Sequence, residues 1–174
     1  HADAELQRRF ATVQRINFDA LLLTELRAQA QAMKVDWAVV LQADAAERTS
    51  RHWTNLQRLV QRTLPALRTA LLHSSQPILL VCAGLLARYD LMHLVTELEE
   101  HAGRLGHTPS AWLLLPTSAQ GLPTIDGVAV PLVNNINNTR ALALPQAWVE
   151  NKHRAKTGPH TANPAGSHAS PSAA

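Results

Sequence analysis

A single cysteine, Cys82, occurs in 174 residues, so a disulfide framework is excluded and so is a zinc site built on paired thiolates. It lies in the apolar run Ile78-Leu79-Leu80-Val81-Cys82 and reads as a buried core thiol. Aromatic residues are equally scarce: four Trp (37, 53, 112, 148), Phe10, Phe18 and Tyr89. Leu, Val and Ala must therefore fill the core, with each Trp an expected packing anchor. No apolar run reaches the ~18 residues of a membrane span and no signal peptide is evident, so the expected setting is cytoplasmic, with no membrane partner. The missing initiator Met reads as a piece of a longer chain.

The charge surplus is also narrower than the pI of 9.6 suggests. Removing Lys152, Arg154 and Lys156 leaves 13 residues of each sign, all at or before Glu150. Nucleic acid is therefore the lesser partner reading, carried only by the row Arg51, Arg58, Arg62 and Arg68 together with the basic tail. A solvated helix face is the plainer account of that row.

Hydropathy predicts an α/β fold: a helical N-terminal part, then a small, partly parallel sheet of three or four strands with flanking helices. Residues 4–34 hold no Gly or Pro and favour helix throughout, interrupted at Asn17-Phe18-Asp19, with Asp19 as the expected cap of a second helix over 20–33. Val35–Leu41 fits either a strand or a short helix capped by Asp36, and leans to helix. Ser50 caps a long amphipathic helix to about His73, in which Pro65 predicts a kink or break near Arg62. Ile78–Cys82, apolar at every position, reads as a central strand covered on both faces. A helix from Leu85 to about Leu105 and a strand at Ala111–Leu115 complete a parallel βαβ unit. The loop Thr117–Asp126 leads to a last strand over 128–132, placed at an edge by Pro131. Leu144–Val149 is a closing segment that docks Trp148. The resulting division is N-terminal helices over 1–34, an α/β domain continuous with them over 35–150, and a disordered tail over 151–174, which lacks any large apolar residue.

Catalytic motifs are absent. The turn Cys82-Ala83-Gly84-Leu85-Leu86-Ala87-Arg88 has one Gly and neither phosphate-binding fingerprint, so no cofactor is expected within these residues. Arg88, just inside the helix after the central strand, is the one candidate ligand-binding residue, a sensor toward a ligand held elsewhere; the alternative is that it pairs with Asp90 or another carboxylate and orders the turn. His52, His73, His93, His101 and His107 show no H-x-x-x-H pair, and no metal site is expected. No serine lies in G-x-S-x-G or S-x-x-K, and kinase elements are missing.

Several segments form a recognisable pattern: Val35-Asp36-Trp37 with Val40–Ala45; Gly84-Leu85-Leu86-Ala87-Arg88-Tyr89; Ala111–Pro116 with Pro123–Pro131; and Leu144-Pro145-Gln146-Ala147-Trp148-Val149-Glu150-Asn151-Lys152-His153-Arg154. Together they resemble the C-terminal region of PglW-like serine/threonine kinases of the Pgl/BREX phage-defence systems of bacteria. The resemblance spans about Leu21–Arg154 and rests on structural motifs. It implies a non-catalytic accessory domain whose kinase part, with its ATP, lies upstream, and whose partners are other domains of the parent chain or other defence-system proteins. Two alternatives stand beside it: the distal half of an NTPase core lacking its phosphate-binding loop, and a nucleic-acid-binding module.

Overall fold

A computed structural model describes residues 2–116, 123–131 and 142–149. The chain divides into two compact units, one over 3–142 and one over 143–174 with residues 1 and 2. In the first, α1 (Ala2–Arg9), β1 (Gln14–Asn17), α2 (Phe18–Ala32), α3 (Trp37–Asp44) and α4 (Arg51–Leu72) precede the central strand β2 (Ile78–Val81). There follow α5 (Gly84–Arg88), α6 (His93–His101), β3 (Ala111–Leu113), β4 (Thr124–Ile125) and β5 (Val128–Ala129). In the second unit, α7 (Gln146–Val149) is a single short helix; the expected docking of Trp148 concerns a side chain outside the described residues, as does the tail over 151–174.

The architecture is α/β. β2 lies between β1 and β3 and pairs with both in parallel, Ile78 opposite Gln14 on one side and Ala111 on the other. All four of its residues are buried. Alternation sends them to two cores. Ile78 and Leu80 join Ile16 and the apolar faces of α2, α4, α5 and α6, whereas Leu79 and Val81 join Val13 with Leu6 of α1 and Leu114. A sheet of order 1-2-3 with right-handed crossovers carries its connecting helices on one face. That leaves α1 to cover the other, where Leu6 packs against Val13, Leu79 and Val81; within α1 the buried Glu5 carboxylate receives Arg8 at 2.6 Å and Arg9 at 2.9 Å.

Several expectations are met. Asp36 caps α3 through Ala38 N–H, so Val35–Leu41 resolves to helix from Trp37 on. Ser50 caps α4 through Trp53 N–H, and Ile78–Val81 is the interior strand of a parallel βαβ unit.

Others are corrected. The helix expected throughout residues 4–34 contains β1: pairing with β2 overrides the helical propensity of Gln14-Arg15-Ile16-Asn17. Asn17, not Asp19, caps α2 through Ala20 N–H. α4 runs unbroken through Pro65, which lies with Gln61 on the exposed side, where the carbonyl it deprives of a donor is open to water. Cys82 is exposed: the strand ends at Val81, and a left-handed φ of 51° turns the thiol out of the core. The helix expected over 85–105 stops at Arg88 in a Schellman motif without glycine. Asp90 takes φ 60°, Leu91 N–H donates to Leu86 O at 2.7 Å and Asp90 N–H to Ala87 O at 3.4 Å, while Leu86 and Leu91 bury fully. The last strand is not an edge of the main sheet. Val128–Ala129 folds back on Thr124–Ile125 through Asp126-Gly127, whose φ values of 47° and 80° suit a two-residue hairpin. Trp53 is a buried anchor, but Trp112 is 38% exposed and meets the ring of Phe10 edge-on, at 4.9 Å between ring centroids.

Because Leu80 is fully buried in the larger core, Leu80→Ala is expected to cost about 2–5 kcal/mol in urea denaturation of the chain. Trp112→Ala should cost clearly less; equal losses would contradict the assignment of the two faces.

Candidate functional site

In a parallel sheet, ligands gather outside the carboxyl ends of the strands. Here that edge is occupied by the protein's own groups. Asp19 lies two residues past the end of β1, in the first turn of α2; its N–H donates to Cys82 O at 3.0 Å, and its Oδ1 accepts from Leu85 N–H at 2.9 Å, at the start of α5. The hairpin turn brings a second carboxylate to the same point: a Cβ added to Gly84 would lie 3.2 Å from Asp126 Oδ2 and 3.7 Å from Asp19 Oδ2. A side chain at position 84 would thus crowd the Asp126 carboxylate, which would have to give by a few tenths of an ångström, and would meet Asp19 at ordinary contact distance. Burial pushes the Asp19 carboxyl above its ordinary value and Asp126 adds to the rise, opposed by the Leu85 and Gly84 amides.

The far end of α5 is tied just as firmly. Arg88 Nε donates to Asp44 Oδ1 at 2.9 Å and its Nη2 to the Asp44 carbonyl at 3.0 Å, while Tyr89 Oη donates to the same Oδ1 at 2.8 Å. The partner that orders the turn is Asp44 at the end of α3, not Asp90, and a cation there also complements the α3 dipole. Burial works to raise the Asp44 pKa, but the hydrogen bonds from Arg88 and Tyr89 and the guanidinium charge outweigh it and hold the group below its ordinary value. Burial, then the bond to Asp44, pushes the Tyr89 phenol up to about 12. Trp53 stacks on Tyr89 at 5.9 Å, with the Arg48 and Arg88 guanidiniums 5.3 and 5.9 Å from its ring centroid. Arg88, the candidate ligand sensor, is therefore part of a polar and aromatic latch joining α3, α4 and α5.

The arginine row divides. Arg51, Arg58 and Arg62 are exposed along α4, and among the described residues Arg58 donates only to Asn55 Oδ1, at 3.4 Å. Arg68 turns aside to grip Glu97 of α6 with two bonds of 2.8 and 2.7 Å.

Sequence spacing missed a cluster of histidines. His107 packs its ring 5.0 Å from His73 and 4.8 Å from His101, bringing together the ends of α4 and α6 and the loop after α6. His73 Nδ1 lies 3.2 Å from Gly106 O and His101 Nδ1 2.8 Å from Glu97 O, while His107 Nδ1 is buried without a partner. Three separate segments meet there, so no local H-x-x-x-H test could find them. Among the described residues, no three His, Cys, Asp or Glu side chains are grouped so as to hold a metal ion.

The latch has a defined pH signature. A carboxyl whose folded pKa is depressed contributes stability that is fully present above its unfolded value and lost as pH falls through the folded one. Arg88→Ala should therefore destabilise the chain at pH 7 by roughly 1 kcal/mol, a small figure because both partners are partly solvent-screened. The difference from the unmodified chain should fade as pH drops below the ordinary Asp value of 3.8. A gap in urea midpoints that persists undiminished at pH 3 would contradict the Asp44 assignment.

No family model matches the chain. No solved structure matches it either. Among curated proteins, the probable kinase PglW of Streptomyces coelicolor is 30% identical over 155 residues, covering 81% of this chain. The chain spans about a tenth of that protein's length, 10%. No helix among the described residues is long and apolar enough to cross a membrane. The resemblance drawn from the motifs is thus matched in direct comparison: this chain is related in sequence to one region of a PglW kinase.

Proposed function

We propose that this chain is an accessory, non-catalytic region of a Pgl-type serine/threonine kinase of bacterial phage defence, C-terminal in its parent and acting in the cytoplasm. It makes contacts with other domains of that parent or with other defence proteins, and ATP is bound elsewhere in the parent. The kinship with a region of PglW supports the setting. The observation that carries the non-catalytic reading is the occupant of the α5 start. In nucleotide-binding sheets the amides that open the helix after the strand receive a phosphate. Here the Leu85 amide is already bonded to the Asp19 carboxylate, with Asp126 beside it. An incoming phosphate would meet two acids and displace an internal hydrogen bond.

The same observation weighs against the distal half of an NTPase core. So does the double attachment of Arg88 to Asp44, which commits its Nε and an Nη2 donor within the protein and fixes the guanidinium there.

The expected outcome in calorimetric titration of the 174-residue chain with magnesium ATP is no saturable binding up to millimolar nucleotide. In the full-length parent, Arg88→Gln should leave phosphoryl transfer within about twofold of the unmodified enzyme, a surface-class effect. Micromolar nucleotide binding by the chain, or turnover abolished by Arg88→Gln in a protein that still folds, would reverse the reading in favour of the half-NTPase.

A further inference from the structure

The longest helix, α4, contains four arginines and no acidic residue, although the chain to Glu150 is neutral as a whole. At 100° per residue, Arg58 and Arg62 fall within about 20° of Arg51 around the helix axis, and Arg68 falls about 100° away. The structure agrees: Arg68 is the one that leaves the stripe, to pair with Glu97. Arg51, Arg58 and Arg62 remain exposed and make no ion pair among the described residues. They form a straight cationic ridge about 16 Å long at 1.5 Å per residue. The exposed side chains near it are Thr54, Asn55, Gln61, Pro65 and Thr69; the Asn55 and Gln61 amides can donate hydrogen bonds, whereas the Thr54 and Thr69 hydroxyls donate to the Ser50 and Pro65 carbonyls.

What could lie on such a ridge follows from what the helix withholds. None of the exposed large apolar residues of the described chain belongs to α4; its single aromatic residue besides His52, Trp53, is buried under Tyr89. A protein partner needs a buried aromatic or aliphatic anchor, and single-stranded nucleic acid needs an aromatic platform for its bases. Neither is offered. Evenly charged phosphate backbone needs only cations and neutral donors on a rigid line. We propose that Arg51, Arg58 and Arg62 form a docking ridge for the phosphate backbone of duplex DNA, holding it without reading its sequence. Arg68 is excluded from the ridge and serves the α4–α6 contact. This inference goes beyond the accessory role and does not depend on it.

The test is fluorescence anisotropy of a labelled mixed-sequence duplex of about 20 base pairs with the full chain, between 50 and 200 mM salt. Three phosphate contacts contribute about 2.7 to the steepness of log affinity against log salt, or about a 40-fold loss of binding across that range. Each of Arg51→Gln, Arg58→Gln and Arg62→Gln should lower the steepness by about 0.9, and the triple variant should lose the whole contribution. Arg68→Gln should lower the melting temperature and leave the steepness unchanged. Far-UV circular dichroism checks that the exposed-site variants keep their helix. Absence of saturation at 50 mM salt would overturn the proposal. So would a triple variant with unchanged steepness, which would assign the binding to Lys152, Arg154 and Lys156. A poly-glutamate peptide that binds through the three arginines while duplex DNA does not would overturn it too.

Discussion

Burying Ile78–Val81 on both faces imposes most of what surrounds it. A strand removed from water must pair its amides and carbonyls on both sides, so β1 and β3 are obligatory neighbours. Their parallel direction requires long crossovers, and these are the helices α2 to α4 and α5 with α6. Alternation then makes two demands: Ile78 and Leu80 need a thick helical layer, and Leu79 and Val81 need any cover at all. The second demand is met economically by an eight-residue helix whose buried Glu5 is paired with two exposed arginines, Arg8 and Arg9. A buried carboxylate tolerates that position only because it is paired.

Carboxylates also close the short segment that leaves the central strand. At the start of α5 an acid with a raised pKa sits against backbone amides; at its end an acid with a lowered pKa sits against a guanidinium and a phenol. The difference is one of neighbours. Asp19 shares its surroundings with Asp126 and receives only neutral donors, whereas Asp44 receives a cation. α5 is only five residues long, too short to be stable alone, and is held by these two polar contacts and by the fully buried Leu86.

Legibility in the sequence followed burial and local chemistry. The central strand, α4 with its Ser50 cap and α3 with its Asp36 cap were readable because each combines a periodic apolar pattern with a local signal. β1 was not: it has a single core-facing residue, Ile16, and its identity as a strand resides in the partner 64 positions away. The break after Arg88 was hidden because Asp90, rather than glycine, takes the left-handed position. Cys82 was misplaced for a related reason: apolar context cannot reveal a positive φ one residue past the strand end. At the candidate site, Arg88 and its ordering role were legible, but Asp44 as its partner was not. The same holds for the Asp19–Asp126 pair and the three histidines, each assembled from segments far apart in the chain.

The distribution of charge separates two uses of arginine that composition merges. Arg8, Arg15, Arg68 and Arg88 each spend their guanidinium on a carboxylate that fixes an element: α1, the α1–β1 junction, the α4–α6 contact and the α3–α5 latch. Such pairs neutralise themselves, so the field they project outward is small. Arg51, Arg58 and Arg62 do none of this work, yet they stand on the most regular surface of the fold, a helix whose opposite face is packed from Trp53 to Leu72. Their side chains could be exchanged for neutral ones without loss to the core. The chain to Glu150 is charge-balanced only with these three cations counted, and because they make no ion pair among the described residues their charge is turned outward, where an extended anion would complement it.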